Sequence, residues 1–389
     1  VHPLEGIKSN LDDNIQVSYA KGCHTYKFLP AIPTELFKEN DGFKVDFFDG
    51  QEFEGEPIET KILKGNKFWA MGGFGLDIVA QSKRPSLSVR FAGEIEPEFT
   101  GEYEFEIFSI GPSRLSINGE NLIDNWTSQD PGDAFFGMGS SPKRNTVTFQ
   151  KGESYFIEVE YKWEGRFPAV QIGMQVPDQH DLMEEAISLA KQSDAVILIV
   201  GTNSDWETEG NDRASLELPS NQDELIKNVC EVNKNTVVVL NTGSPCEMPW
   251  HSEANAILQS WFPGQEFGNS LSDIIFGEVN PSGKLPTTFP KTISDTPAFA
   301  TYPGEDLQMD YEEGLFIGYR WYDRENIEPL FPFGHGLSYT SFEYSNLRAI
   351  PPKGTSSVAA FEIDITNSGN MAGKEIVQGY VSVSNSKIE

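Results

Sequence analysis

Two hydrophobic patterns that cannot share one layer of structure occupy this chain, and the switch between them at Val176-Pro177-Asp178 constrains its folding more than any other feature. Before the switch, from about residue 43, runs of β-branched and aromatic residues alternate with turn signals at 43–48, 87–91, 101–110, 115–123, 145–149, 155–161 and 169–176. Regularly spaced short strands of this kind predict a β-sandwich or barrel. Asn118-Gly119 sits between two apolar runs and supplies the positive φ angles of a tight hairpin turn. After the switch the spacing becomes helical, with Leu182, Ala186, Leu189 and Ala190 on one face. The continuous apolar run Ala195-Val196-Ile197-Leu198-Ile199-Val200 follows, of the type buried on both faces of a parallel sheet.

The alternation then repeats. Leu225, Ile226, Val229 and Cys230 mark a second helix, 236–240 a second strand, 256–261 a third, and 267–276 a further helix. Right-handed crossovers are expected for such a unit. From about residue 340 the β pattern returns at 361–365 and 376–380, around the turn Asn367-Ser368-Gly369-Asn370, with too few strands for a complete sandwich. An early strand-like run, Ile15-Gln16-Val17-Ser18-Tyr19-Ala20, precedes the boundary at Leu29-Pro30-Ala31-Ile32-Pro33 and has no partner nearby. The expected fold class is therefore an α/β sandwich, with a mostly parallel sheet, interrupted by an all-β sandwich domain and followed by a partial β-sandwich. The boundaries are 1–30 for the first segment of the α/β domain, 31–177 for the inserted β-domain, 178–339 for the α/β body and 340–389 for the partial domain.

Charge narrows the partners. Lys and Arg number 29 against 59 Asp and Glu, a net charge of −30 that argues against nucleic acid and other polyphosphates. Three cysteines, Cys23, Cys230 and Cys246, without a C-x-x-C pair indicate neither a disulfide framework nor a cysteine zinc site. His2, His24, His180, His251 and His335 lack metal-binding spacing, so no metal is expected. No apolar stretch of about 18 residues suggests a membrane span. The chain begins Val1-His2-Pro3-Leu4, without an initiator Met or a signal-like run, and is read as the later part of a longer polypeptide. Few cysteines and a single sequon, Asn125-Trp126-Thr127, incline the localisation toward the cytoplasm.

Ligands of open α/β sheets bind beyond the carboxyl ends of the strands, so the loop after Val200 draws attention. Gly201 to Arg213 carries four carboxylates, one Arg and one Trp. Crowded carboxylates beside an aromatic face can protonate a leaving group and stack on a sugar ring. On composition alone, a solvated acidic loop is the simpler reading. Gly137-Met138-Gly139 and Gly334-His335-Gly336 do not follow strands as phosphate loops would, and no G-x-S-x-G elbow occurs.

At this loop a resemblance becomes specific. Trp206-Glu207-Thr208-Glu209-Gly210-Asn211-Asp212-Arg213 resembles the acid/base loop of glycoside hydrolase family 3 β-glucosidases. Thr242 to Trp250, Trp261-Phe262-Pro263-Gly264-Gln265-Glu266-Phe267-Gly268-Asn269, Phe276 to Pro286, Tyr311 to Tyr322 and Pro332 to Tyr339 are similar to further signatures of that family. The inserted β-domain resembles a protective-antigen-type sandwich through Gly101-Glu102-Tyr103-Glu104-Phe105 and the Asn118-Gly119 hairpin, with Tyr161 and Trp163 compatible. Asn367, Gly369, Ala372, Gly373 and Gln378 resemble the opening of a fibronectin type III-like domain.

The resemblance implies retaining hydrolysis by an exo-acting β-glucosidase that removes terminal β-linked glucose from oligosaccharides or glucosides, with no cofactor. It implies Glu209 as the acid/base, with Glu207 as runner-up, and Trp206, Phe135 and Phe136 as substrate contacts, although both phenylalanines could equally fill the sandwich core. Relatives often carry an aromatic residue where this chain has Asn211. The family's nucleophilic Asp comes from an N-terminal barrel, and nothing here reads as eight strand–helix repeats. Ser204-Asp205-Trp206 imitates the nucleophile motif but leads into the acid/base loop and is read as a decoy. The implied partners are the substrate and that barrel; a homo-oligomer stays open, and this chain alone is expected to be inactive. The competing reading is a carbohydrate-binding, lectin-like scaffold. The retained Glu209 with Asp212-Arg213 argues against it, as does the confinement of paired aspartates to Asp12-Asp13.

Overall fold

The computed structural model describes residues 1–39, 42–65, 67–69, 86–164, 167–351, 360–382 and 384. Its internal contacts divide the chain into two units, one formed by 24–185 with 203–213 and the other by 1–23, 186–202 and 214–389.

The first unit is built on ten strands: β1 (Phe43–Asp49), β2 (Glu59–Leu63), β3 (Lys67–Trp69), β4 (Ser86–Ile95), β5 (Gly101–Ile110), β6 (Ser113–Ile117), β7 (Glu120–Asn125), β8 (Lys143–Phe149), β9 (Tyr155–Glu164) and β10 (Ala169–Gln175). They form a six-stranded sheet in the order β2-β1-β4-β9-β6-β7 and a four-stranded sheet in the order β3-β10-β5-β8. The pairings among them are antiparallel, for example Phe91 opposite Val159 and Phe105 opposite Met174. Alternate residues of both sheets, among them Phe47, Phe91, Leu115 and Val159 from one and Tyr103, Phe105 and Ile172 from the other, enter one buried cluster. The hairpin at Asn118-Gly119 forms as the sequence predicts, with φ values of 51° and 82°.

The opposite face of the four-stranded sheet is also covered. Phe108 and Ala169 pack with Ala134 and Phe135, and Phe28 lies against this group. The 25–30 segment is tied down where the Leu29 amide donates to Glu106 Oε1 at 2.8 Å and the Met174 amide to Pro30 O at 2.9 Å. On the outer face of the six-stranded sheet, Glu160 of β9 lies opposite Arg90 of β4 and Arg114 of β6. Arg90 Nη2 reaches it at 2.9 Å and Arg114 Nε at 2.8 Å. Arg114 and Lys162 lie over the Trp126 ring, at 4.9 and 5.1 Å from its centroid.

In the second unit, α1 (Pro3–Ser9) precedes the 10–23 segment. Then come α2 (Leu182–Gln192), which begins in the first unit, β11 (Val196–Gly201), α3 (Gln222–Val232), β12 (Thr236–Asn241), β13 (Ala256–Gln259), α4 (Phe267–Ile275), α5 (Tyr319–Glu325), β14 (Phe342–Ile350) and β15 (Ala360–Asn367). β11, β12 and β13 make a parallel three-stranded sheet, and β14 and β15 an antiparallel pair. Cys246, Met248 and Trp250 of the 242–250 motif belong to the core beside β12, so this part of the motif is packing. Trp250 is fully buried and donates from Nε1 to Asp223 Oδ1 at 2.7 Å. Helices α1 and α4 meet backbone to backbone: a Cβ on Gly6 would lie 2.2 Å from the carbonyl carbon of Gly268.

Several expectations change. Residues 15–20 form no strand; Tyr19 is 67% exposed, so the apolar alternation there has no face to bury. The 195–200 run does form a parallel strand, but β11 is an edge of the described sheet and Ile199 is 37% exposed, whereas the central β12 is largely buried. β13 stops at Gln259, and Trp261 turns the chain with φ 56°. No strand forms at 376–380. Helices α1 and α5 and strands β2 and β3 were not anticipated, being only three to seven residues long.

Asn125, the sequon residue, is fully buried in the folded unit, and its amide nitrogen lies 3.1 Å from each of the Ser109, Ser113 and Ser140 hydroxyl oxygens, among which its two N–H groups are shared. A glycan cannot be attached there without opening this cluster. Folded protein recovered from a glycosylating host should therefore show unmodified Asn125 by peptide mass spectrometry; a glycosylated, folded fraction would contradict this packing.

Burial alone would raise the Glu160 carboxyl, but hydrogen bonds and charge from Arg90 and Arg114 outweigh it and hold the pKa below the ordinary glutamate value. A lowered folded pKa contributes stability above the unfolded value, about 4.3, and loses it as pH falls through the folded one. Unfolding titrations should show Glu160→Gln losing about 1.5–3 kcal/mol near neutral pH and having a shallower acid limb than the parent.

Candidate active site

The chain leaves β11 at Gly201, whose amide donates to Gln222 Oε1 at 2.7 Å while its carbonyl accepts from Gln222 Nε2 at 2.9 Å. Only glycine fits this strand end, because a Cβ would lie 2.0 Å from Asn241 O. Asn203 then starts the acidic loop. Its side chain accepts the Asp205 amide at 2.9 Å, and its carbonyl accepts the Trp206 and Glu207 amides at 3.0 and 2.9 Å. Asn residues start such turns because the short side chain imitates a backbone acceptor. Thr208 and Asn211 pair across a second turn, and Gly210 takes φ 83° within it. Glu209 is thereby carried to the tip.

The four candidate carboxylates differ in setting. Glu209 is exposed. Glu207 is mostly buried, with Oε1 3.8 Å from Arg213 Nη1. Asp205, of Ser204-Asp205-Trp206, stands 3.9 Å from Lys67 Nζ, and Asp212 is exposed.

Residues far away in sequence hold both sides of the turn within the first unit. Trp206 Nε1 donates to Thr25 O at 2.8 Å, and Lys27 Nζ lies 5.9 Å from the centre of the indole. On the other side, Asn211 Nδ2 donates to Asp133 O. The Asp133 carboxylate pairs with Lys27 at 2.9 Å, and the hydrogen bond from Lys27 holds its pKa below the usual aspartate range. Thr25, Lys27 and Asp133 were invisible to motif reading, since none lies near the loop in sequence.

After Asp133 the backbone makes a left-handed turn, with φ values of 53°, 61° and 75° at Phe135, Phe136 and Gly137. L-residues pay about 1–2 kcal/mol each for this region, so neighbouring contacts must hold it. The turn separates the two phenylalanines. Phe135 is 9% exposed and packs on Phe108, with ring centres 5.4 Å apart. Phe136 is 38% exposed and lies beside the acidic turn, its Cδ1 3.4 Å from where a Gly210 Cβ would stand. Trp206, the Glu209-Gly210 tip and Phe136 thus belong to one surface region, and Phe135 lies beneath it. Of the two phenylalanines expected as substrate contacts, Phe135 is buried and Phe136 exposed.

Residues 1–339 match the Glycosyl hydrolase family 3 C-terminal domain. The chain belongs to this family. The β-glucosidase of Rhizobium radiobacter is 37% identical, the alignment covering 100% of this chain and 47% of the relative. Beta-glucosidase B of Emericella nidulans is 36% identical over 98% of this chain and 47% of its own length. The crystal structure of a β-glucosidase from Kluyveromyces marxianus superposes with a TM-score of 0.82 at 32% identity, covering 95% of this chain and 45% of that one. A second structure from that organism, in complex with glucose, gives 0.81. The chain spans about half the length of the curated relatives it matches. Its mixed sheets with few helices are structurally like the family 3 C-terminal domain of β-glucosidases.

The division between the phenylalanines can be checked by chemical denaturation. Phe135→Ala should cost about 3 kcal/mol by emptying a buried site. Phe136→Ala should stay within about 0.5 kcal/mol of the parent, as a surface change does.

Proposed function

We propose that this chain supplies the general acid/base to a retaining β-glucosidase whose nucleophile lies in the part of the longer protein that the chain does not span. Glu209 is that acid/base: its carboxyl protonates the departing glycosidic oxygen, and its carboxylate then takes a proton from the water that releases the sugar. The observation that carries this reading is the contrast between the two glutamates of the loop. Glu209 is exposed at the tip of a pinned turn, whereas Glu207 is held beside Arg213. Proton transfer requires a carboxyl that can come within hydrogen-bond reach of the substrate oxygen, which favours the tip.

In this reading the barrel Asp attacks the anomeric carbon, and terminal β-linked glucose leaves oligosaccharides or glucosides from the exo side. Trp206 and Phe136 offer apolar surface to the substrate, and Phe135 supports Phe136 from below. Residues 31–177 are the protective-antigen-type sandwich, inserted between 1–30 and 178–339 of the α/β sandwich, and 340–389 open a fibronectin type III-like domain. That 203–213 groups with 24–185 supports a loop shaped by contacts from both the 1–30 segment and the insert, although its sequence belongs to the α/β segment.

The test is nitrophenol release from p-nitrophenyl β-glucoside by this chain alone and by the full-length protein with Glu209, Glu209→Ala or Glu207→Ala. The chain alone should be silent. Glu209→Ala should lower turnover by about 10²–10⁴-fold, with azide restoring part of it as glucosyl azide. If azide rescued Glu207→Ala instead, the role would move to Glu207. Sugar binding without hydrolysis by the full-length protein would favour the carbohydrate-binding scaffold.

A further inference from the structure

The loop that carries Glu209 is pinned on both sides by residues of which two, Lys27 and Asp133, form an ion pair. Thr25 and Lys27 hold the Trp206 side, through the indole N–H and the cation over the ring. Asp133 holds the Asn211 side through its carbonyl. Lys27 and Asp133 are joined to each other at 2.9 Å, with the Lys27 side chain 20% exposed.

Both anchors are themselves fixed. Lys27 O accepts from Arg144 Nη2 at 3.0 Å, and the next residue, Phe28, packs on Phe108 with ring centres 4.6 Å apart. Asp133 O also accepts the Gly137 amide at 3.3 Å, at the start of the left-handed turn that carries Phe136.

We infer that Lys27 and Asp133 are a positioning pair for the acid/base turn, setting Glu209 by clamping Trp206 and Asn211 three residues before it and two after. The inference rests on the reading of Glu209 as the acid/base. It makes the unit formed by 24–185 and 203–213 a contributor to proton transfer. A proton donor displaced by about 1 Å can lose on the order of 100-fold in rate, and the contacts from Thr25, Lys27 and Asp133 add long-range restraint to the hydrogen bonds that Asn203 accepts within the turn.

The experiment compares two substrates in the full-length protein. A 2,4-dinitrophenyl β-glucoside has a leaving group that departs without protonation, whereas an alkyl β-glucoside needs the acid. Lys27→Met and Asp133→Asn should each lower kcat/KM for the alkyl glucoside about 10–100-fold and leave the dinitrophenyl glucoside within about threefold. Lys27→Arg, which keeps the charge pair, should recover most of the loss. The double variant Lys27→Met/Asp133→Asn should be no worse than either single one, because the two act as a unit.

Glu209→Ala should show the same discrimination more strongly. If it does and the Lys27 and Asp133 variants lower both substrates alike, or neither, the positioning role is wrong while the acid/base reading stands. If Glu209→Ala fails to discriminate, both fall. Hydrogen exchange in the same proteins separates positioning from collapse. Asp133→Asn should speed amide exchange across 205–212 while residues 103–107 of β5 stay protected, and an unchanged loop would overturn the inference.

Discussion

A carboxylate placed against the face of a β-sheet is costly unless its oxygens are occupied, and Glu106 meets that condition on the outer side of β5. Its side chain is fully buried, with one oxygen accepting the Leu29 amide at 2.8 Å and the other receiving Arg144 Nε at 2.7 Å. Burial pushes the carboxyl pKa up, and the charge and hydrogen bond of Arg144 oppose it. Arg144 then reaches on to Lys27 O. One buried acid therefore fixes the 27–29 segment on the sheet, and with it the backbone that presents Thr25 and Lys27 to Trp206. Loss of Glu106 would loosen the candidate site without touching any residue of the acidic loop.

The left-handed turn at 135–137 solves a second problem on the same face. The turn sends Phe135 inward to Phe108 and leaves Phe136 outward beside Gly210. Backbone strain of this sort persists only where surrounding contacts over-determine it. Here they include the Asp133 carbonyl, the Phe108 ring and the Gly139 amide bonded to Ala134 O at 3.0 Å.

Local chemistry made much of the fold legible in the sequence. Period-two alternation located strands such as 101–110, Asn118-Gly119 located its hairpin, and the Leu225, Ile226, Val229, Cys230 face located α3, because each depends on neighbours within a few residues. The run at 15–20 misled because alternation states only that a segment could bury one face, and among the described residues no strand pairs with it. For the candidate site, the loop and its carboxylates could be found from spacing and resemblance, but the loop's supports could not. Trp206 meets Thr25 across 181 positions and Asn211 meets Asp133 across 78, and no local pattern encodes such pairs. The separate fates of Phe135 and Phe136 were equally hidden, since they turn on two positive φ values that phenylalanine rarely adopts.

Those long-range contacts also bear on how the loop can present an exposed carboxyl. Between β11 and α3 the chain runs from Thr202 to Asn221 without a helix or strand, a length at which conformational entropy would normally leave the segment mobile. Ordering it requires contacts at its flanks, and Trp206 and Asn211 provide them. If the tip were ordered in the same way, its carboxylate would already be engaged. Glu207 illustrates the consequence: beside Arg213 and mostly buried, it would have to give up that neighbour before it could reach a substrate oxygen. Clamped flanks with an exposed Glu209 avoid this conflict, because the interactions that fix the turn and the group that would transfer the proton are different atoms.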